Sequence, residues 1–97
     1  MRWNWLKWWR RRQDTMHLDI LMYTRQGCHL CEDAWTLLEE ARRRYGFTLR
    51  QVDIDDDPQL VREHGECVPV VTVNGRVRFR GVVNRVLLKR LLEAEEM

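Results

Sequence analysis

The sequence has no uninterrupted apolar stretch of the kind that crosses a membrane, which takes about 20 residues, or forms the core of a secretory signal, which takes about 7–15. It has no internal repeat, no low-complexity segment and no linker beyond its first residues. Its 97 residues exclude a TIM barrel, a complete dinucleotide-binding fold and a two-domain enzyme with a cleft between its halves. Only three cysteines and two prolines are present. A chain of this size can bury a working core without covalent staples, though with little stability to spare. No large excess of one charge is present either: the formal net charge is +2.

That small number conceals an asymmetry. Residues 1–13 carry Arg2, Lys7, Arg10, Arg11 and Arg12 with no acid, five of the seventeen basic residues. The other 84 residues therefore hold twelve basic side chains against fifteen acidic ones, a net of −3. The body offers no electrostatic footprint for nucleic acid, so no nucleic-acid partner is expected, and Arg42, Arg43 and Arg44 read as a solvated face.

Trp3, Trp5, Trp8 and Trp9 also fall in this first stretch, interrupted by Asn4 and Lys7 and closed by the arginine run. No apolar core follows the arginines, which excludes a twin-arginine export signal. Residues 1–15 are read as a Trp/Arg-rich leader, disordered in water because so short a segment makes a marginal helix. The competing readings are an interfacial anchor, giving weak membrane-surface contact through residues 1–13, and an over-extended start ahead of Met16. Residues 16–97 form the domain. Without an export signal its expected compartment is the cytoplasm, where thiols stay reduced.

Along the domain, residues 17–23 form a short, mostly apolar run that predicts a buried strand. From Cys28 the apolar positions Leu30, Ala34, Leu37, Leu38, Ala41 and Tyr45 recur every three or four residues, the pattern of an amphipathic helix. Gly46 is its natural stop, with glutamates early and arginines late to suit the helix dipole. Residues 47–54 predict the next strand. Asp57 before Pro58 signals a capped helix start, for a short helix ending near His64 and Gly65. Residues 68–73 read as a valine-rich strand, joined through Asn74-Gly75, a hairpin signal, to residues 76–79. Asn84 caps a last helix with Leu87, Leu88, Leu91 and Leu92 as its apolar face. The order β-α-β-α-β-β-α predicts an α/β fold, a small four-stranded mixed sheet with helices on both faces.

The cysteines are a C-x-x-C, Cys28 and Cys31, and a separate Cys67. Cys28 falls where the first strand gives way to the helix, so its sulfur is expected to face the helix's unpaired N–H groups. Such a setting lowers a cysteine pKa from about 8.5 to roughly 3.5–7.5, and a value near 6 makes the thiol roughly 90% thiolate at neutral pH. Arg25 and a protonated His29 push the same way. Cys31, one turn on, is expected to be less exposed. The chemistry this suggests is thiol–disulfide exchange: Cys28 attacks a substrate disulfide and Cys31 resolves the mixed disulfide.

Other readings stand beside it. Cys28, Cys31, His64 and Cys67 have the residue types of a Cys₃His metal set, and a non-catalytic metal- or Fe–S-binding module using Cys28, Cys31 and Cys67 is the main alternative. Zinc knuckles usually sit on loops, however, whereas this pair opens a long helix. Cys67 is a second resolving thiol, a ligand, or a small buried hydrophobe. His64 is expected to meet the last carbonyls of its helix, Asp55 to Asp57 to form a capping turn, Trp35 to pack, and His29 to be a solvated imidazole.

Taken together, YTRQGCHLCEDA, VDIDDDPQLVREHG and VPVVTVNGRVRFRG with a closing Leu-rich helix resemble the glutaredoxin-like branch of the thioredoxin fold, over about residues 17–92. The resemblance implies that Pro69 is cis and packs against the C-x-x-C. It also implies that Val68 offers its backbone N–H and C=O to an extended substrate or to glutathione. By the same resemblance Arg25 matches a basic residue that faces a glutathione carboxylate, and Gly81 and Asn84 stand where glutaredoxins hold the γ-glutamyl end. The chain departs from typical glutaredoxins in having His29-Leu30 between the cysteines, and Arg80-Gly81 with Asn84 in place of Gly-Gly and an aspartate.

The expectation is a monomeric dithiol oxidoreductase with catalytic Cys28 and Cys31 and a substrate rest of Arg25, Val68, Pro69, Gly81 and Asn84. Cys67 is a candidate auxiliary thiol. No bound cofactor or metal is expected. The expected partners are disulfide-containing proteins, with glutathione or a flavoprotein disulfide reductase as the reductant. A thioredoxin-fold adaptor with incidental thiols is the remaining alternative.

Overall fold

Every second residue at the start of the domain is buried: Leu18, Ile20 and Met22 are each no more than 1% exposed. Strict alternation of this kind points one face of a strand into a core, and the strand is β1, Asp19–Thr24. The computed structural model describes residues 18–96. The leader at residues 1–15, with its anchor and alternative-start readings, lies outside the described residues.

The elements that follow are α1 (His29–Tyr45), β2 (Thr48–Asp53), a 3₁₀ turn (Ile54–Asp56), α2 (Pro58–His64), β3 (Val70–Val73), β4 (Arg76–Arg80) and α3 (Arg85–Glu96). The sheet order is β2-β1-β3-β4. β2 runs parallel to β1, and β3 and β4 are antiparallel to their neighbours. β2 and β4 are thus the edges. This is the mixed four-stranded α/β architecture read from the sequence.

α1 and α3 cover one face. Ala34, Leu38 and Tyr45 of α1 and Leu88 and Leu92 of α3 close over Ile20, Met22, Val71, Val73 and Phe79 as the main core. α2 lies on the other face, where His64 stacks on Tyr23 with ring centroids 4.6 Å apart. Among the described residues no helix is long and apolar enough to cross a membrane.

The local signals act where expected. Gly46 ends α1 in the left-handed conformation at φ +80°, and its N–H donates to the Arg42 carbonyl at 2.7 Å. Gly46→Ala is expected to cost about 1–2 kcal/mol, since a Cβ is strained at that φ; chemical denaturation checks this, and an unchanged midpoint would contradict it. Asp57 caps α2 by accepting the Gln59 N–H. Asn74 and Gly75 both take positive φ, 51° and 83°, as a two-residue hairpin of type I′ requires.

Several expectations need correction. The strand predicted over residues 68–73 begins only at Val70, because Pro69 has no N–H to donate to a ladder; the Val68-Pro69 bond is cis. Leu30 and Leu87, placed on apolar helix faces, are 46% and 51% exposed. Each lies at the margin of its helix's apolar stripe, next to Cys31 and Leu88, which face the core and are 2% exposed. His64 does not meet the end of α2. The Gly65 and Cys67 N–H groups already donate to the Val61 and His64 carbonyls, so the imidazole is free to stack. Finally, β3 and β4 pair with a register shift, Val71 opposite Phe79 but Thr72 opposite Val77. Without that bulge Val77 and Phe79 would share a face. With it, Phe79 enters the core while Val77 is 36% exposed.

Candidate functional site

At the C-terminal end of β1 the chain turns through Gly27, which adopts φ +75°. Cys28 then arrives in extended conformation as the N-cap of α1. A cap residue must satisfy the helix's first N–H groups, and here the cap atom is sulfur: Cys28 Sγ accepts the Cys31 N–H at 3.1 Å. The Cys28 carbonyl accepts the Glu32 N–H at 3.2 Å. Cys28 and Cys31 are joined by a disulfide across a Cα–Cα distance of 5.2 Å. Cys31 is only 2% exposed, packed in the main core, whereas Cys28 is half-buried and keeps solvent contact. The pair is therefore asymmetric: one sulfur faces outward on the positive end of a helix and the other is held behind it.

A groove of about 250 Å³ borders the pair, lined among others by Thr24, Arg25, Glu32, Trp35 and Gln51. Trp35 has a packing role as expected, half-buried against the core. His29 is 94% exposed, 3.9 Å from the Glu32 carboxylate, and is a solvated imidazole.

Arg25, which lines the same groove, is bonded to Asp55. Its Nη2 and Nε donate to Asp55 Oδ1 at 2.8 and 3.1 Å, and its Nη1 donates to the Gly65 carbonyl at 3.4 Å. The hydrogen bond to Asp55 and that carboxylate's charge, with a smaller contribution from Asp53, hold the guanidinium above its ordinary pKa. The reading of residues 55–57 as a capping turn is right for Asp57, while the Asp55 carboxylate serves Arg25. Nothing in the sequence marks this pair, whose members stand 30 residues apart; only the parallel pairing of β1 and β2, with Thr24 opposite Asp53, brings them together.

Val68 and Pro69 stand just ahead of β3. Pro69 is fully buried, and Val68 packs against the same core as Cys28. Gly81, at φ +80°, braces the segment: its N–H donates to the Cys67 and Pro69 carbonyls at 3.0 and 2.9 Å. Neither backbone polar group of Val68 is hydrogen-bonded among the described residues. Asn84 caps α3, its Oδ1 accepting the Leu87 N–H at 3.0 Å.

Cys67 is exposed, which overturns its reading as a small buried hydrophobe. Among the described residues no group of three or more His, Cys, Asp or Glu side chains converges to hold a metal ion. Cys28, Cys31, His64 and Cys67 are thus not assembled as a ligand set.

Comparison with known proteins agrees with this geometry. Residues 19–93 match the family described as Glutaredoxin-like domain (DUF836). A "Probable Thioredoxin" of Methanothermobacter thermautotrophicus is 32% identical over 73 residues, covering 72% of this chain and 86% of that protein. The X-ray structure of a protein from X. campestris superposes with a TM-score of 0.65 at 33% identity, covering 77% of this chain and 96% of that one. The oxidised thioredoxin of Plasmodium falciparum superposes with a TM-score of 0.60 at 20% identity over 89% of each chain, a likeness of fold.

Proposed function

The chain belongs to the Glutaredoxin-like domain family (DUF836), and from that membership we propose that it is a dithiol thiol–disulfide oxidoreductase acting on protein disulfides or glutathione mixed disulfides. The observation that carries this reading is the asymmetry of the pair, an outward Cys28 capping α1 and a buried Cys31 bonded to it.

In the reduced protein, Cys28 thiolate attacks one sulfur of a substrate disulfide. A Cys28–substrate disulfide forms and the other substrate sulfur leaves as a thiolate. Cys31, deprotonated in turn, attacks Cys28 Sγ, re-forms the disulfide seen here and releases the second substrate thiol. The substrate gains two electrons and the protein loses two. A thiol such as glutathione, or a flavoprotein disulfide reductase, returns them. The reading puts this cycle in the cytoplasm, where such reductants are present.

The other residues have supporting roles in this scheme. The free N–H and C=O of Val68 pair with an extended substrate as an added strand would. Pro69 and Gly81 hold that segment in place, and Asn84 fixes the start of α3 beside it. Arg25 contributes its cation to Cys28 to the extent that Asp55 leaves it uncompensated.

The deciding experiment is a disulfide-reduction assay run in parallel with two electron supplies, glutathione with glutathione reductase and NADPH with a thioredoxin reductase. Turnover with either supports the proposal and identifies the donor. Absence of turnover with both, on protein whose reduced Cys28 alkylates normally, would reject it.

A further inference from the structure

We propose that Asp55 is a positioning residue that sets the charge felt by Cys28, by chelating the Arg25 guanidinium and cancelling its cation on the groove that borders the nucleophile. The inference concerns the same site and rests on the proposed function for its purpose, though not for its test.

Arg25 and Cys28 line one groove, three residues apart. A free guanidinium there would favour the thiolate, because an opposite charge nearby stabilises the ionised form. The guanidinium is not free. Asp55 takes it as a charge-assisted pair, with Nη2 and Nε both donating to Oδ1 and Nε also 3.4 Å from Oδ2. Nη1 reaches the Gly65 carbonyl, which anchors the guanidinium at a third point. Asp55 is therefore built into the site from the 3₁₀ turn after β2 and touches neither cysteine.

The other charged and titratable groups around Cys28 are Glu32 in the groove, His29 beside it on α1, and Asp53 at the end of β2, which acts on Arg25. β2 otherwise presents the neutral Gln51 to the groove. The Arg25–Asp55 pair is the contribution that two single substitutions can unbalance in opposite directions.

The test is the pH dependence of iodoacetamide alkylation of reduced protein at low salt, read at Cys28 by tandem mass spectrometry. Asp55→Asn leaves the Arg25 cation uncompensated, so the alkylation midpoint is expected to fall. Arg25→Gln leaves the Asp55 carboxylate uncompensated, so the midpoint is expected to rise. Each shift should lie between roughly 0.4 and 1.5 pKa units, the span a unit charge about 8 Å away produces between bulk-water and near-surface dielectric. The double variant should return close to the parent.

Opposite signs establish the charge role, which loosening of the loop would not reproduce. Shifts of one sign in both variants, or no shift, would overturn it. If Arg25→Gln does not fold, Arg25→Lys serves in its place: it keeps the charge, so a midpoint at the parent value beside a lowered one in Asp55→Asn supports the proposal, and any other pattern rejects it. Alkylation needs neither substrate nor reductant, so this outcome is separate from that of the reduction assay.

Discussion

Cys28→Ser is expected to reduce disulfide-reductase activity to the uncatalysed background, a loss on the order of 10³-fold or more in kcat/KM, since a hydroxyl replaces the thiolate that must attack. The cap itself should survive. Serine is among the preferred N-cap residues, and its oxygen can accept the Cys31 N–H that the sulfur accepts at 3.1 Å. The variant thus separates chemistry from folding, and unfolding curves matching the parent would confirm that it does. Cys31→Ser should behave differently. Cys31 is 2% exposed and enters only at the second step, so its loss leaves attack intact and strands the intermediate as a Cys28–substrate mixed disulfide. Mass spectrometry after exposure to a protein disulfide would detect that adduct. Full activity in Cys28→Ser would reject the mechanism.

Leu38→Ala is expected to be strongly damaging to the fold. Leu38 is 0% exposed, on the face of α1 that also carries Cys31 and Ala34. Emptying such a site costs about 2–5 kcal/mol, the transfer free energy of the lost methyl groups plus the residual cavity. Small domains sit near the low end of the roughly 5–15 kcal/mol that native proteins possess. The loss should therefore lower Tm by roughly 10–30 °C for a domain of this size, or leave too little folded protein to measure. Thermal unfolding followed by circular dichroism tests it. A drop of under about 1 kcal/mol would mean that α1 is not seated on the sheet as described. Because the same seat buries Cys31, reductase activity should fall with the folded fraction.

What the sequence made legible depends on the range of the interactions involved. Features set by a few neighbouring residues were legible. The three-to-four spacing from Ala34 to Tyr45 marked α1, Asp57-Pro58 marked the start of α2, and Asn74-Gly75 marked the hairpin. The placement of Cys28 at the strand–helix junction was legible for the same reason.

Features set by residues far apart were not. The bulge in β4 depends on which residues of β3 it faces, so no local pattern announces it. The Arg25–Asp55 pair exists only because β1 and β2 run parallel. The stacking of His64 on Tyr23 depends on α2 crossing the second face of the sheet. Leu30 and Leu87 fitted the helical period and are nonetheless exposed, because each sits at the edge of its apolar stripe, beside the buried Cys31 and Leu88, and spacing alone does not say how wide a stripe the sheet covers.

The strand order has one more consequence. β4 is a sheet edge, and in five residues it carries Arg76, Arg78 and Arg80. An exposed edge offers unpaired N–H and C=O groups to any other strand, including the same strand of another molecule. Two copies of β4 pairing antiparallel would bring three guanidinium groups of one chain against three of the other, and like charges facing across a strand pair oppose its formation. Arg76, Arg78 and Arg80 thus set like charge along one of the two open edges of the sheet, where it opposes strand-to-strand growth.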